Sequence, residues 1–203
     1  MERMREAFQL YKDHGHNGYI GEGVSQLEHA KQAAIRAIER YDLQLRTGTI
    51  SRREFSELVL GAFFHDIGHL VRYINSDDLE LMGVGGDLGV MNHEKIGADY
   101  LRILGFSRRV YDLAGGHVKA KRYLVTIDDD YRNNLSEASK QTLIIQGGAM
   151  SNQEKVDFEN DPNFDHFLDL REFDDSAKNS DLVFLENMES WYPMSYFETL
   201  LMS

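Results

Sequence analysis

The residues in this chain best suited to chemistry are histidines and carboxylates. They centre on Gly61-Ala62-Phe63-Phe64-His65-Asp66-Ile67-Gly68-His69-Leu70. An adjacent His-Asp pair follows an apolar run that reads as buried helix. A buried imidazole beside an ionised carboxylate is costly unless something pairs with both, and a metal ion is the obvious partner. His69 follows His65 by one helical turn, so on a continuous helix both face the same side.

Other histidines and carboxylates recur along the chain. The eight histidines include His29, His93 and His117, each beside small or apolar residues. Asp174 falls in Arg171-Glu172-Phe173-Asp174-Asp175, where Asp175 is a near-equal competitor. Any one of these alone fits a hydrogen-bonded core residue. Together the histidines and Asp66 come from four separate helical segments, which is how helix bundles build metal sites. His14 and His16, in a polar stretch, read as solvated, and His166 as a surface residue.

The bulk properties narrow the possibilities. With 203 residues, the chain suits one domain. Lys+Arg 22 against Asp+Glu 34 gives a net charge of -12, which argues against nucleic-acid binding. The absence of cysteine excludes disulfides, thiolate metal sites and cysteine nucleophiles. No apolar run reaches membrane-spanning length, so a soluble cytoplasmic protein is expected.

Helical periodicity dominates and alternating β-branched runs are nearly missing, so an all-α fold is expected. The spacing predicts helices over about 2–12, 26–45, 53–74, 93–104, 107–123, 128–146, 151–160 and 165–178. Ser25-Gln26-Leu27-Glu28 has the form of a capping box with Glu28 as its acid. Gly105 and Gly147-Gly148 read as helix stops, Ser107 as a cap, and 75–91, with Gly83, Gly85, Gly86 and Gly89, as a functional loop. The aromatic tail with Trp191, Tyr192, Tyr196 and Phe197 is expected to dock on the body.

The ordered set His29, His65-Asp66, His93, His117, Asp174 resembles the HD-domain superfamily of helical metalloproteins. Tyr19-Ile20-Gly21-Glu22, Gln26-Leu27-Glu28-His29, His93 to Arg102, Lys121-Arg122-Tyr123-Leu124, Leu135 to Ser139 and Gln146-Gly147-Gly148 are similar to one subgroup. These are its mixed-valence diiron oxygenases acting on 2-amino-1-hydroxyethylphosphonate. The resemblance implies one HD domain over 1–203, with a core at 18–178 and a tail at 179–203 docked on it. It implies a dinuclear site in the core of the helical bundle, holding two iron ions as Fe(II)/Fe(III). Asp66 would bridge them, with His29, His65 and Asp174 on one and His93 and His117 on the other. Ligand type alone does not select iron over manganese, zinc or nickel. Dioxygen is the implied co-substrate, with glycine and phosphate the products of C–P cleavage. An upstream phosphonate hydroxylase is the implied functional partner, because the α-hydroxyl must be installed first.

The same comparison assigns the surrounding residues. Lys121, one turn after His117, is the expected phosphonate clamp, with a surface lysine of buried stem as the plainer reading. His69, Ser139, Gln146 and Gln26 are further expected contacts; Ser139 and Gln146, seven apart, share a helix face. Glu22 is the expected counter-charge to the substrate ammonium. A trimethylammonium substrate would need an aromatic enclosure, for which Tyr11, Tyr19, Phe63 and Phe64 are candidates. Two other readings are a metal-dependent phosphohydrolase of the same fold and a non-catalytic metal-binding regulatory module.

Tyr19 has an expected role of its own: its phenol protects the open metal position until substrate displaces it. Tyr19→Phe should therefore change the resting protein's absorption and raise its uncoupled oxidation. Unchanged spectra and an unchanged oxidation rate would remove that role.

Overall fold

Helix α2 (Gln26–Arg46) begins where the sequence says it should. The Ser25 side chain accepts from the Glu28 backbone N–H, and Glu28 accepts from Ser25 N–H in return, satisfying two of the donors every helix start leaves open. Ser151 and Glu154 repeat the device at α9 (Asn152–Glu159). The structure is a computed structural model that describes residues 1–19, 22–74, 84–85 and 89–202. Ile20 and Gly21, and most of the expected loop at 75–91 with Gly83 and Gly86, lie outside those residues.

The fold is all-α. Its other helices are α1 (Glu2–His14), α3 (Arg52–Phe63), α4 (Gly68–Val71), α5 (His93–Leu104), α6 (Arg108–Ile127), α7 (Asp129–Asn134), α8 (Glu137–Ile145), α10 (Phe164–Ser176), α11 (Leu182–Trp191) and α12 (Met194–Thr199). Among the described residues the extended structure comprises an isolated bridge between Gly18 and Ser25 and one two-residue antiparallel pairing, β1 (Val84–Gly85) with β2 (Gly89–Val90). Helix α3 packs on both α2 and α6, α10 packs on the same two helices, and α5 lies against α4 and α6. No helix of the described residues is long and apolar enough to cross a membrane.

Several boundaries differ from the sequence reading. The expected helix at 53–74 is broken. α3 ends at Phe63, and residues 64–67 form turns whose bonds run i to i+3, as in Ile67 N–H to Phe64 O at 3.1 Å and His69 N–H to Asp66 O at 3.0 Å. His65 and His69 therefore do not share one helix face. Periodicity cannot register this break, because every residue in the turn is buried and none is proline. The expected helix at 128–146 is likewise two, α7 and α8, separated at Leu135–Ser136, with Ser136 capping α8 through its side chain. α6 runs four residues past Tyr123, and Ser107 occupies its N-cap position without a side-chain bond. His14 belongs to α1 and stacks on Tyr73 at 4.4 Å, and His166 is half-buried, so neither is fully solvated.

The core beneath the break is aromatic. Phe8 meets Phe64 edge-on at 4.8 Å, and Phe63 packs on Phe197 of α12 at 4.9 Å. Trp191, by contrast, is exposed. Tyr11, Phe63 and Phe64 are wholly buried in this cluster, with Tyr11 Oη near Phe63 O at 3.4 Å. None of the three lines the pocket beside the histidine cluster, so they cannot enclose a trimethylammonium group there. Gly68 lets α4 lie close against the start of α5: a Cβ there would sit 1.9 Å from His93 O. Asn92, with φ of 56°, takes the left-handed conformation asparagine tolerates and turns the chain into α5 at His93.

Gly68→Ala should therefore cost about 1–3 kcal/mol or more, as overpacking of a close backbone contact does. A denaturant midpoint equal to wild type would show that α4 and α5 are not held together here.

Candidate metal centre and substrate pocket

Five segments bring six side chains to one point. His29 comes from α2, His65 and Asp66 from the turn after α3, His93 from the start of α5, His117 from α6 and Asp174 from α10; all are buried. Asp66 sits at the middle. Its Oδ2 lies 3.6 Å from His29 Nε2 and 3.5 Å from His65 Nε2. Its Oδ1 lies 3.3 Å from His93 Nε2 and 3.4 Å from His117 Nε2. The two oxygens thus face two separate imidazole pairs. Asp174 Oδ1 joins the first, 3.4 Å from His29 Nε2 and 3.8 Å from His65 Nε2.

The hydrogen bonds on the far side of each ring say what these nitrogens are. The Nδ1 atoms of His29, His65 and His117 meet the backbone carbonyls of Ala177, Ala62 and Ala114 at 2.8, 2.8 and 2.9 Å. A carbonyl only accepts, so each Nδ1 carries a proton and each ring turns its Nε2 inward, the lone pair available for a cation in the neutral form. His29 Nε2 and His65 Nε2 are 3.1 Å apart, and His93 Nε2 and His117 Nε2 are 2.9 Å apart. Lone pairs at such separations repel unless a cation lies between them. Donors about 2.1 Å from one metal, at angles of 90–110°, lie about 3.0–3.4 Å from each other. The donor set therefore fits two metal ions sharing Asp66. Two overlapping groups, His29-His65-Asp66 and Asp66-His69-His93, have donor atoms within 4.8 Å of one another.

His69 is set apart by its hydrogen bond. Its Nδ1 accepts from Val90 N–H at 3.3 Å, which leaves the proton on Nε2 in the neutral ring. It stacks on His93 at 4.0 Å, and burial together with the charge of His93 holds its pKa well below the usual histidine value. His69 is thus a neutral N–H donor beside the centre. Burial opposes the charged form of His65, yet Asp66 and Asp174 overcome it and lift its pKa to about 9. The same carboxylate pull draws a cation there. His117 is pushed the other way, to about 3, chiefly by burial, against the pull of Asp66.

Asp174 and Asp175 are separated by Arg171. The Arg171 guanidinium donates to Asp174 Oδ2 at 2.5 Å, leaving Oδ1 for His29 and His65. Burial raises the Asp174 pKa, but Arg171 and the two histidines bring it well below the carboxylate range. Asp175 instead pairs with Arg171 from the other side and accepts from Tyr131 Oη at 2.7 Å.

Above the centre lies a small pocket, partly open to solvent. Its wall includes Tyr19, Glu22, His69, Lys121, Ser139 and Gln146, as the sequence proposed. It also includes Thr142, Arg171 and Lys178, which the sequence reading missed. Arg171, one turn before Asp174 on the same helix, could have been found from that spacing. Lys178, which the spacing placed at the end of the helix expected over 165–178, lies past the end of α10 at Ser176. Gln26 is not on the wall; its backbone N–H is tied to Asn17 O at 2.9 Å and it is buried at the start of α2. Lys121 is buried and donates to Thr142 Oγ1 at 3.0 Å; burial, with Arg171 nearby, lowers its pKa to about 8. Tyr19 stacks on His29 at 3.9 Å, and burial and the Asp66 charge raise its phenol pKa well above the usual value. Glu22 pairs with Lys178 at 2.8 Å.

A helical bundle whose core presents two imidazole sets on one aspartate defines an HD-domain metalloprotein. No family model matches the chain. It is 40% identical over 201 residues to an uncharacterized protein of Acanthamoeba polyphaga mimivirus, covering 99% of this chain and 81% of that one. It is 36% identical over 177 residues to the hydroxymethylphosphonate dioxygenase of Gimesia maris, covering 87% and 79%. It is 31% identical over 183 residues to the 1-hydroxy-2-(trimethylamino)ethylphosphonate dioxygenase (glycine-betaine-forming) of Leisingera caerulea, covering 90% and 82%. The chain belongs to the HD-domain phosphonate dioxygenases, and it is an enzyme of the oxygenase class.

Loaded anaerobically, the protein should hold two metals per chain by elemental analysis. The double variant His93→Ala/His117→Ala should hold one, because the His29, His65 and Asp174 set is untouched. Two metals in that variant, or one in wild type, would contradict the division of ligands.

Proposed function

We propose that the chain catalyses dioxygen-dependent cleavage of the C–P bond of a small 1-hydroxyphosphonate, such as 2-amino-1-hydroxyethylphosphonate, using an Fe(II)/Fe(III) pair. The substrates for which the two dioxygenase relatives are named share a carbon carrying both hydroxyl and phosphonate, and differ beyond it. For 2-amino-1-hydroxyethylphosphonate the products balance as glycine and phosphate, each taking one atom of dioxygen. The observation that carries this reading is the pocket itself: anion donors converge on one wall above a centre with two imidazole sets. When bound, the metal pair supplies the redox capacity that side chains lack and activates dioxygen.

The chain's own residues do the rest. Asp66 holds the two sets together, and His29, His65, Asp174, His93 and His117 complete them. Lys121, His69, Ser139 and Gln146 bind the phosphonate: an ammonium, an N–H donor, a hydroxyl and an amide. Tyr19 covers the centre from the His29 side and is displaced by substrate. Among the described lining residues Tyr19 is the one tyrosine, tryptophan or phenylalanine. A single such ring gives no cage for a trimethylammonium group, so among amine-bearing substrates a primary amine is favoured over a methylated one. The substrate is supplied by a hydroxylase acting on the parent phosphonate, and the chain works as one domain.

The test compares phosphate release from a 1-hydroxyphosphonate with and without dioxygen. Release that stops in its absence supports an oxygenase; undiminished anaerobic release supports the phosphohydrolase reading. The Lys121 pKa adds a pH signature. Lys121 is charged below about 8 and loses its charge as pH rises through that value, so kcat/KM should fall above it. Lys121→Met should abolish that fall and raise KM by roughly 10- to 150-fold, the range for one charged hydrogen bond. A KM unchanged by the substitution would remove Lys121 from the phosphonate site.

A further inference from the structure

The Glu22–Lys178 pair lies on the pocket wall, partly buried, with Lys178 Nζ donating to Glu22 Oε1 at 2.8 Å. Lys178 is not a loosely placed surface lysine. The residue before it, Ala177, is fully buried and gives its carbonyl to His29 Nδ1. The residue after it, Asn179, is clamped by the Gln32 side chain through two bonds, at 2.9 and 3.0 Å. Both neighbours are thus fixed to α2, and the backbone of Lys178 is pinned over the pocket rim. Glu22 is fixed as well, its backbone N–H donating to Tyr19 O at 3.1 Å.

This arrangement bears on the substrate group beyond the hydroxylated carbon. Asp66 and Asp174 are committed to the imidazole sets. Glu22 is the other carboxylate among the described lining residues, and its charge is already met by Lys178. A substrate ammonium reaching Glu22 meets a carboxylate whose charge Lys178 already balances, and must displace Lys178 Nζ or sit beside it as a second cation, on a wall that also holds Lys121 and Arg171. A phosphonate without an amine leaves the pair intact.

We propose that Lys178 is a specificity-determining residue: by occupying Glu22 it shifts preference away from amine-bearing hydroxyphosphonates and toward those with no ammonium group. The choice of substrates rests on the phosphonate oxygenase reading above. The residue itself acts on ligand charge, whatever the later chemistry.

Binding separates the two. Dissociation constants for 2-aminoethylphosphonate and its uncharged-tail isostere propylphosphonate are measured by calorimetry on metal-loaded, anaerobic protein. Neither ligand has the 1-hydroxyl, so the readout is affinity alone. In Lys178→Met the ratio of the two constants should move roughly tenfold or more toward the amine, while Lys178→Arg should keep the wild-type ratio. Lys178→Gln gives the same reading should the methionine variant not fold. A ratio within twofold of wild type in both neutral variants would overturn the proposal. The kcat/KM ratio of 2-amino-1-hydroxyethylphosphonate to hydroxymethylphosphonate should move the same way. If wild type releases phosphate from neither, the oxygenase reading fails, yet the binding ratio still decides the role of Lys178.

Discussion

The Asp66 carboxylate is the constraint on which the rest of the structure depends. An ionised carboxylate this deeply buried is tolerated only when cations or donors surround it. Burial raises its pKa, but His65, His93 and His69 bring it well below the usual carboxylate value. Each of its oxygens faces a different imidazole pair, so Asp66 must point into the centre of the bundle. A continuous helix through 53–74 would not place it there. The chain breaks after Phe63, and the turn over 64–67 delivers His65 and Asp66 side by side to the centre. The glycine at 68 then lets α5 approach closely enough to bring in His93.

A second ring of contacts keeps this arrangement in one state. Three backbone carbonyls orient three of the imidazoles, and each is supplied by a residue packed in the core. Arg171 divides two adjacent aspartates, sending Asp174 inward and pairing Asp175 with Tyr131. Such outer contacts fix tautomer and direction as firmly as the ligands themselves. On the pocket side the charges alternate, Lys121 and Arg171 near Asp174 and Lys178 on Glu22, in a chain whose net charge is -12. The local basic spot is what allows a strongly acidic protein to receive an anion.

Much of this was legible from residues alone, because metal donors are few in type and their spacing is informative. The all-α class followed from periodicity. The helix start at Ser25 and the stop at Gly105 followed from local cap chemistry, which tertiary context rarely overrides. The broken helix was not legible, since turn residues that are buried and apolar look like helix. For the same reason Phe63 and Phe64, next to the His-Asp pair in sequence, read as possible pocket residues; the break turns them into the aromatic core instead. Lys178 was invisible because its position depends on Gln32, 146 residues away in sequence, clamping the neighbouring backbone. Gln26 was misjudged because proximity to His29 in sequence is not proximity to the pocket.

The central claim is that one aspartate joins two metal sets, and anomalous diffraction from metal-loaded crystals tests it most directly. Two peaks about 3.5–4 Å apart are expected, one against Asp66 Oδ2 with His29, His65 and Asp174, the other against Oδ1 with His93 and His117. A single peak, or a second peak served by residues other than these, would contradict the account.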